Sequence, residues 1–202
     1  ILSLLLIFSG ACWNRGKTIT VGIAILTTSH IPVVEGFKAG MAEYGYVESK
    51  NIRYIYDGVL EDDPDAIDRE IGKLLSQGVD LLFTGGNMVS LRAKKAVEGT
   101  DVPIIIGASS RPVEEGLVDS LQRPGGNITG VRTADSIPKM LELLAMVTPE
   151  KRKFYLPYNP DDQVSVVSLK GLNEAAAKMG IDLVIQEIRS VEEAVSSIKT
   201  LP

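Results

Sequence analysis

"SLQRPGGNITGVRT" (Ser120–Thr133) sets Pro124, Gly125 and Gly126 directly before a β-branched run. A glycine-rich segment of this kind is either a phosphate cradle or the bend that leads into a strand. A phosphate cradle opens a helix, so that free N–H groups and the helix dipole face the anion. Here the glycines precede "NITGVRT", which has strand character, so the segment reads as a tight turn with Asn127 starting a strand. The other places for a nucleotide loop agree. A dinucleotide fold puts G-x-G-x-x-G between its first strand and first helix. That junction reads "LTTSHIPVVEG" and has no such glycines. No Gly-Lys-Ser/Thr ending of a Walker loop occurs either.

Working outward from that turn, strands and helices alternate. "TITVGIAIL" from Thr18 is a short apolar β-branched run, as in a buried parallel strand. "HIPVVEGFKAGMAEYGY" follows, with Val33, Phe37, Met41 and Tyr44 at helical spacing, Pro32 near the start and Gly45 beyond the end. "NIRYIYD" is the second strand. "DPDAIDREIGKLLSQG" is a helix with Ile67, Ile71, Leu74 and Leu75 on one face, introduced by Asp63 and Pro64. "VDLLFTGG" and "MVSLRAKKAVEG" form the third strand and helix, and "VPIIIGASS" the fourth strand. "PVEEGLVDSL" is expected to be a short helix before the fifth strand. The fold class is α/β: an open parallel sheet sandwiched by helices.

A second series begins near Ser136. "SIPKMLELLAMV" reads as a helix, "KRKFYLPYN" as a strand and "QVSVVSLKGLNEAAAKMG" as a long helix with Ser168, Leu172, Ala175 and Met179 on one stripe. "IDLVIQEI" and "SVEEAVSSIKTL" add a strand and a helix. The domain organisation expected is a leader over residues 1–16, a near-complete first lobe over 17–133 and a partial second lobe over 134–202.

The 202 residues are 45% apolar, enough for a substantial core, and carry a net charge of −5. An acidic chain without a basic footprint is a poor partner for nucleic acid, and no polybasic run suggests an anionic membrane surface. One cysteine, Cys12, and one histidine, His30, leave no internal disulfide and no cluster for a zinc site. Neither a metal nor an organic cofactor is expected, and no nucleophile–base pair points to an enzyme.

The chain opens "ILSLLLIFSGACWNRGK". The apolar run is too short to span a bilayer, which takes about 20 residues. It fits the core of a secretion signal followed by a small-residue cleavage site, Ser9, Gly10 and Ala11. Small residues before Cys12 resemble a bacterial lipobox, although Ser9 stands where a large aliphatic residue is usual. The expectation is an extracytoplasmic protein anchored by lipid on Cys12; the simpler alternative is a cleaved signal with an incidental cysteine.

Three loops rich in small and hydroxyl residues follow strands one, three and four: "TTSH" (Thr27–His30), "TGGN" (Thr84–Asn87) and "GASS" (Gly107–Ser110). In open α/β sheets ligands sit beyond the carboxyl ends of the strands, and glycines there let backbone N–H groups approach an anion. Together the loops favour a small polar ligand. The acidic "EDDPD" reads as a solvated helix cap, and "LRAKKA" as a helix face meeting water.

Four stretches carry a family resemblance: "GFKAGMAEYGYVESKNI", "VPIIIGASSRPVEEGLV", "RPGGNITGV" and "YNPDDQVS". They are similar to ABC-transporter substrate-binding proteins of the tryptophan/tyrosine-binding-like group. The group's usual forms are close to G-F-x-x-G-L-x-x-x-G-Y-V-E-G-x-N, D-P-V-x-x-G-L-V, P-G-G-N-x-T-G and Y-N-P-x-E-x-x-S. The likeness covers nearly the whole chain after the leader. It implies a type I periplasmic-binding-protein fold, two α/β lobes with ligand in the cleft, and delivery of that ligand to a membrane permease. Some members of the group bind aromatic amino acids, so the resemblance implies a small polar ligand, with amino acids among the candidates. Five positions depart from the pattern. Arg111 replaces the Asp before Pro112, Ser49 replaces a glycine, Asn87-Met88 stands where Thr-Pro is common, and Asp162 replaces a Glu. The change at Arg111 reverses a charge near the cleft mouth.

A binding protein needs donors for a ligand carboxylate and acceptors for an ammonium. The candidates in lobe one are Thr28, Ser29, Asn87, Met88, Ser109 and Ser110, with Asn87 and the two serines placed to hold a carboxylate. In lobe two Asn159 and Ser165 flank the first strand–helix junction. His30 reads as a structural or rim residue, and Tyr158 either stacks on a ligand or packs at its strand end. The function expected is a monomeric solute-binding component of an ABC importer. The competing readings are a sensor domain of a membrane signalling protein and a flavodoxin-like or nucleotide-dependent enzyme.

Overall fold

Residues 17–134 and 136–199 are described by a computed structural model; the expectations for the leader, Cys12 included, lie outside them. Strand β1 (Ile19–Ile25) is a run of β-branched and small apolar residues, and all but its first residue are buried. It pairs in parallel with β2 (Ile52–Ile55) on one side and β3 (Leu81–Gly85) on the other. Strands β4 (Ile104–Ser109) and β5 (Ile128–Arg132) extend the sheet, also in parallel, to give the order β2-β1-β3-β4-β5. Parallel neighbours need crossovers, and three helices supply them: α1 (Ile31–Glu43), α2 (Pro64–Ser76) and α3 (Asn87–Ala96).

The helices cover both faces, which is why the strands read as continuous apolar runs. On one face Ile67, Ile71 and Leu74 of α2 and Val89 and Ala93 of α3 pack on Leu82, Ile104 and Ile106. On the other, Val34 of α1 packs with Val21, Ile23, Ile25, Ile52 and Phe83, and Phe37 stacks on Phe83 with centroids 4.5 Å apart. The start of α2 is as its sequence dictates: the Ala66 N–H donates to Asp63 Oδ2 at 2.8 Å, and Pro64 takes the first turn. Tyr44, expected on the buried stripe of α1, is 85% exposed. The helix ends at Glu43, Gly45 turns the chain with φ 87°, and Tyr46 takes up the packing instead.

The glycine turn behaves as read. Gly125 and Gly126 have φ 73° and 61°, and the Asp119 N–H donates to the Pro124 carbonyl at 2.8 Å. Asn127 Nδ2 donates to the Val102 carbonyl at 2.6 Å and so fixes the entry to β5. The short helix expected over "PVEEGLVDSL" does not form. Residues 112–116 make a chain of turns, with Glu115 N–H on the Arg111 carbonyl, Gly116 N–H on Val113 and Leu117 N–H on Pro112. Gly116 at φ 72° ends any helical course after one turn. The basic cluster of α3 is also less free than its sequence suggests. Arg92 pairs with Asp68 of α2, and Lys94 Nζ donates to the Gly116 carbonyl at 2.7 Å.

The second series forms α4 (Ile137–Val147), β6 (Lys153–Tyr158), α5 (Gln163–Met179), β7 (Asp182–Glu187) and α6 (Val191–Lys199). β6 and β7 pair in parallel as a separate two-stranded sheet. Leu141, Ala175, Ala176 and Ile181 form its small core, with Phe154, Leu172, Met179 and Leu183 against it. Met140, Leu143, Leu144, Met146 and Val147 of α4 stay exposed. Below, lobe one means the part built on the five-stranded sheet and lobe two the part built on β6 and β7. Among the described residues no helix is long and apolar enough to cross a membrane.

Candidate ligand site between the lobes

The carboxyl ends of β1, β3 and β4 lie along one edge of the sheet, and the loops leaving them meet. After β1, Thr27 caps a single 3-10 turn (Thr28–His30) by accepting the Ser29 N–H at 3.2 Å. Thr28 and Ser29 are exposed there, and the Ser29 hydroxyl bonds to that of Thr27. His30 folds over the loop after β3. A Cβ on Gly85 would lie 3.0 Å from His30 Cγ and 2.7 Å from Ile25 Cγ2, so the glycine is needed for that approach. Burial pushes the His30 pKa down, which keeps the ring neutral at pH 7. Gly86 heads α3 with φ 104°, and its carbonyl accepts both the Ser90 N–H and the Ser90 hydroxyl. Asn87, the first residue of α3, is half-buried beside this edge; Met88 is half-buried and packs against the core.

The segment after β4 carries the polar centre of the site. Arg111 is only 7% exposed. Its Nη1 donates to the Val167 carbonyl at 2.9 Å and its Nη2 to Ser168 Oγ at 2.6 Å, both on α5. One side chain of lobe one therefore holds the first turns of the long helix of lobe two. Glu115 follows one turn later and is 4% exposed. Neither of its oxygens meets a donor in hydrogen-bond geometry, although the Asn87 amide is close enough to favour the charged form. Burial pushes the Glu115 carboxyl up to about 7; Arg111 and Asn87 oppose the shift, while Glu114 and Asp162 add to it.

Ser109 and Ser110 part company. Ser109 is buried with its hydroxyl unpartnered, and it lines a cavity of about 160 Å³ with Ile106, Pro112, Val118, Thr129 and Gly130. The ladder to β5 is irregular between Ile106 and Ser109, which turns Ser109 toward that cavity. Ser110 is half-buried and adjoins Arg111. In lobe two, Asp162 Oδ2 accepts the Ser165 N–H at 3.0 Å and the Ser165 hydroxyl at 2.6 Å, which caps the start of α5. Asn159 Oδ1 accepts the Asp161 N–H at 2.9 Å in a local turn. The Tyr158 hydroxyl donates to Glu187 at 3.2 Å across the small sheet.

The structure thus brings Asn87, Ser110, Arg111 and Glu115 together opposite the start of α5. Thr28 and Ser29 flank this group through His30, and Ser109 turns away. Glu115 is absent from the expected site residues because "PVEEG" reads as part of a helix. The signal was Pro112 and Gly116 bracketing two acids, which favours a turn at a strand end over a helix.

Over 167 residues the chain is 31% identical to a tyrosine-binding protein of Clostridioides difficile (strain R20291), covering 83% of this chain and 48% of that protein. It therefore spans about half the length of that curated relative. Its fold matches an ABC domain in complex with L-Trp from Streptococcus pneumonia with a TM-score of 0.76 at 23% identity, over 90% of this chain and 61% of the other. A ligand-free, open substrate binding protein with adhesive properties from Clostridium difficile matches with a TM-score of 0.61 at 26% identity, over 92% and 62%. The architecture is that of type I periplasmic binding proteins. Residues 18–202 match the family described as ABC transporter substrate binding protein, and the chain belongs to that family.

Proposed function

We propose that this chain captures a small polar solute between its two lobes, as the extracytoplasmic binding component of an ABC importer that hands the solute to a membrane permease. The observation that carries the reading is the polar centre at the ends of β3 and β4. There Arg111 reaches across to α5 while Asn87 and Glu115 stand beside it. Solute-binding proteins gain affinity by contacting the ligand from both sides, which favours the closed state. An amino-acid ligand is the first candidate, since the tyrosine-binding relative and the L-Trp complex share the family or the fold. Asn87 and Ser110, with Thr28 and Ser29 at the rim, supply donors from lobe one; Asn159 and Ser165 close from lobe two. Met88 packs against the core behind Asn87, and Ser109 lines the separate cavity beside β5. The protein acts as a monomer, held at the outer membrane face by lipid on Cys12.

Mass spectrometry of small molecules that co-purify with the intact protein tests this reading. An amino acid or similar polar solute is expected at near one per protein. A nucleotide, or turnover of the recovered molecule by the protein, would overturn it. Cell fractionation tests the anchor: Cys12→Ser is expected to move the protein from the membrane to the soluble fraction. A wild type that is already soluble after processing would remove the anchor from the account.

A further inference from the structure

Glu115 differs from every other carboxylate described here. It is 4% exposed, and both of its oxygens are buried without a hydrogen-bond donor. A buried carboxylate in that state is destabilising when ionised. The groups facing it explain what is missing. From its own segment come Arg111, which attracts it, and Glu114, which repels it. From α3 comes the Asn87 amide, and from the start of α5 comes Asp162, a second repelling acid. Arg111 directs its two Nη atoms to Val167 and Ser168 across the lobe boundary, so it attracts Glu115 through space without donating to it. Among the described residues no donor reaches Glu115 in full hydrogen-bond geometry, and Glu114, Glu115 and Asp162 near Arg111 favour a donor that brings positive charge. A solute whose only charge is a carboxylate would meet Glu114, Glu115 and Asp162 instead.

We propose that Glu115 is the specificity-determining residue of the inter-lobe site, taking the protonated amine of the solute and excluding solutes that lack one. The inference rests on the solute-binding reading above and narrows the solute class. It has a consequence for protons. Burial raises the Glu115 carboxyl to about 7, so a large share of the protein carries a proton there at neutral pH. When an ammonium binds, the O–H bond of Glu115 breaks, its proton passes to solvent, and the carboxylate accepts N–H bonds from the ligand. Affinity for an amine then rises with pH, by about tenfold between pH 6 and pH 8, while the amine itself stays protonated.

The test uses matched triplets that share a side chain: L-tyrosine, tyramine and phloretate; L-tryptophan, tryptamine and indolepropionate; L-leucine, isoamylamine and isocaproate. Each is titrated calorimetrically into the intact protein at pH 6, 7 and 8, in two buffers of different ionisation enthalpy. In at least one triplet the amino acid and the amine are expected to bind while the acid does not, with proton release and the rise in affinity with pH. Glu115→Gln keeps the shape without the charge. It is expected to weaken amine binding by about 10- to 100-fold and to abolish the pH dependence. Deaminated acids binding as tightly as the amino acids would overturn the role of Glu115 and leave solute capture standing. So would a flat pH profile of the wild type, which keeps the test independent of how the variant folds. Binding of no member of the panel would overturn the amino-acid class, and this proposal with it.

Discussion

Arg111 and Glu115 stand four residues apart and carry opposite charges, yet they meet very different neighbours. The guanidinium finds a carbonyl and a hydroxyl on α5, whereas among the described residues the carboxylate finds no donor in full hydrogen-bond geometry. Arginine suits its place because its planar fork serves two acceptors at once; a lysine ammonium has no such fork. Arg111→Lys is expected to lower stability by about 1–3 kcal/mol in thermal or urea denaturation, the usual loss for hydrogen bonds from a charged group. Glu115 sets a pH dependence of opposite character. Its folded pKa lies above the ordinary carboxylate value, so the folded protein binds more protons than the unfolded chain between them. Its contribution is present in full below about pH 4.5 and is lost as pH rises through about 7, a change on the order of 3 kcal/mol. Urea midpoints of Glu115→Gln relative to wild type are expected to rise over that window; a constant difference would contradict the shift. The sequence marked Arg111 as a reversed charge at the cleft mouth, but not its partners. Val167 and Ser168 lie on another element, and pairing across lobes leaves no local pattern to read.

At the scale of single elements, local chemistry was readable wherever it was also decisive. Asp63 before Pro64 marks the start of α2, and the structure shows the cap bond to Ala66. Asp63→Ala is expected to cost about 1 kcal/mol, measured by thermal unfolding. The β-branched runs became the five strands of the main sheet because both faces of that sheet are covered by helices. Gly107 in β4 has a less visible reason. A Cβ there would lie 2.5 Å from Cζ of Phe83, which is buried and stacked on Phe37, so nothing can give way easily. Gly107→Ala is therefore expected to destabilise by about 1–3 kcal/mol in the same assay. Two elements misled the periodicity. Tyr44 continues the apolar spacing of α1 past the point where Gly45 turns the chain. The segment after β4 has helix-forming acids, but Pro112 and Gly116 limit it to turns. Both errors fall at element ends, where turn residues override the pattern beside them, and the second one hid Glu115.

At the scale of the whole molecule, two sheets of unequal burial share one boundary. Nearly all of β1 is buried, whereas most of β7 is exposed. Hydrogen exchange is expected to be slowest in β1, β3 and β4 and clearly faster in β6 and β7; equal protection in both sheets would contradict that ranking. The sequence sets three polar loops after the first, third and fourth strands, and in the structure these strand ends lie along one edge of the first sheet, where open α/β folds place ligands. They did not say which side chains turn toward lobe two. Ser109 turns away to a cavity beside β5, while Arg111 and Glu115 turn inward. The central claim is that the solute binds at this boundary. Amide chemical-shift mapping with the co-purified solute tests it most directly. The largest shifts are expected at Asn87, Ser110, Arg111 and Glu115 and at residues 162–168 of lobe two. Shifts confined to Ser109, Val118, Thr129 and Gly130, or to the exposed face of α4, would contradict it.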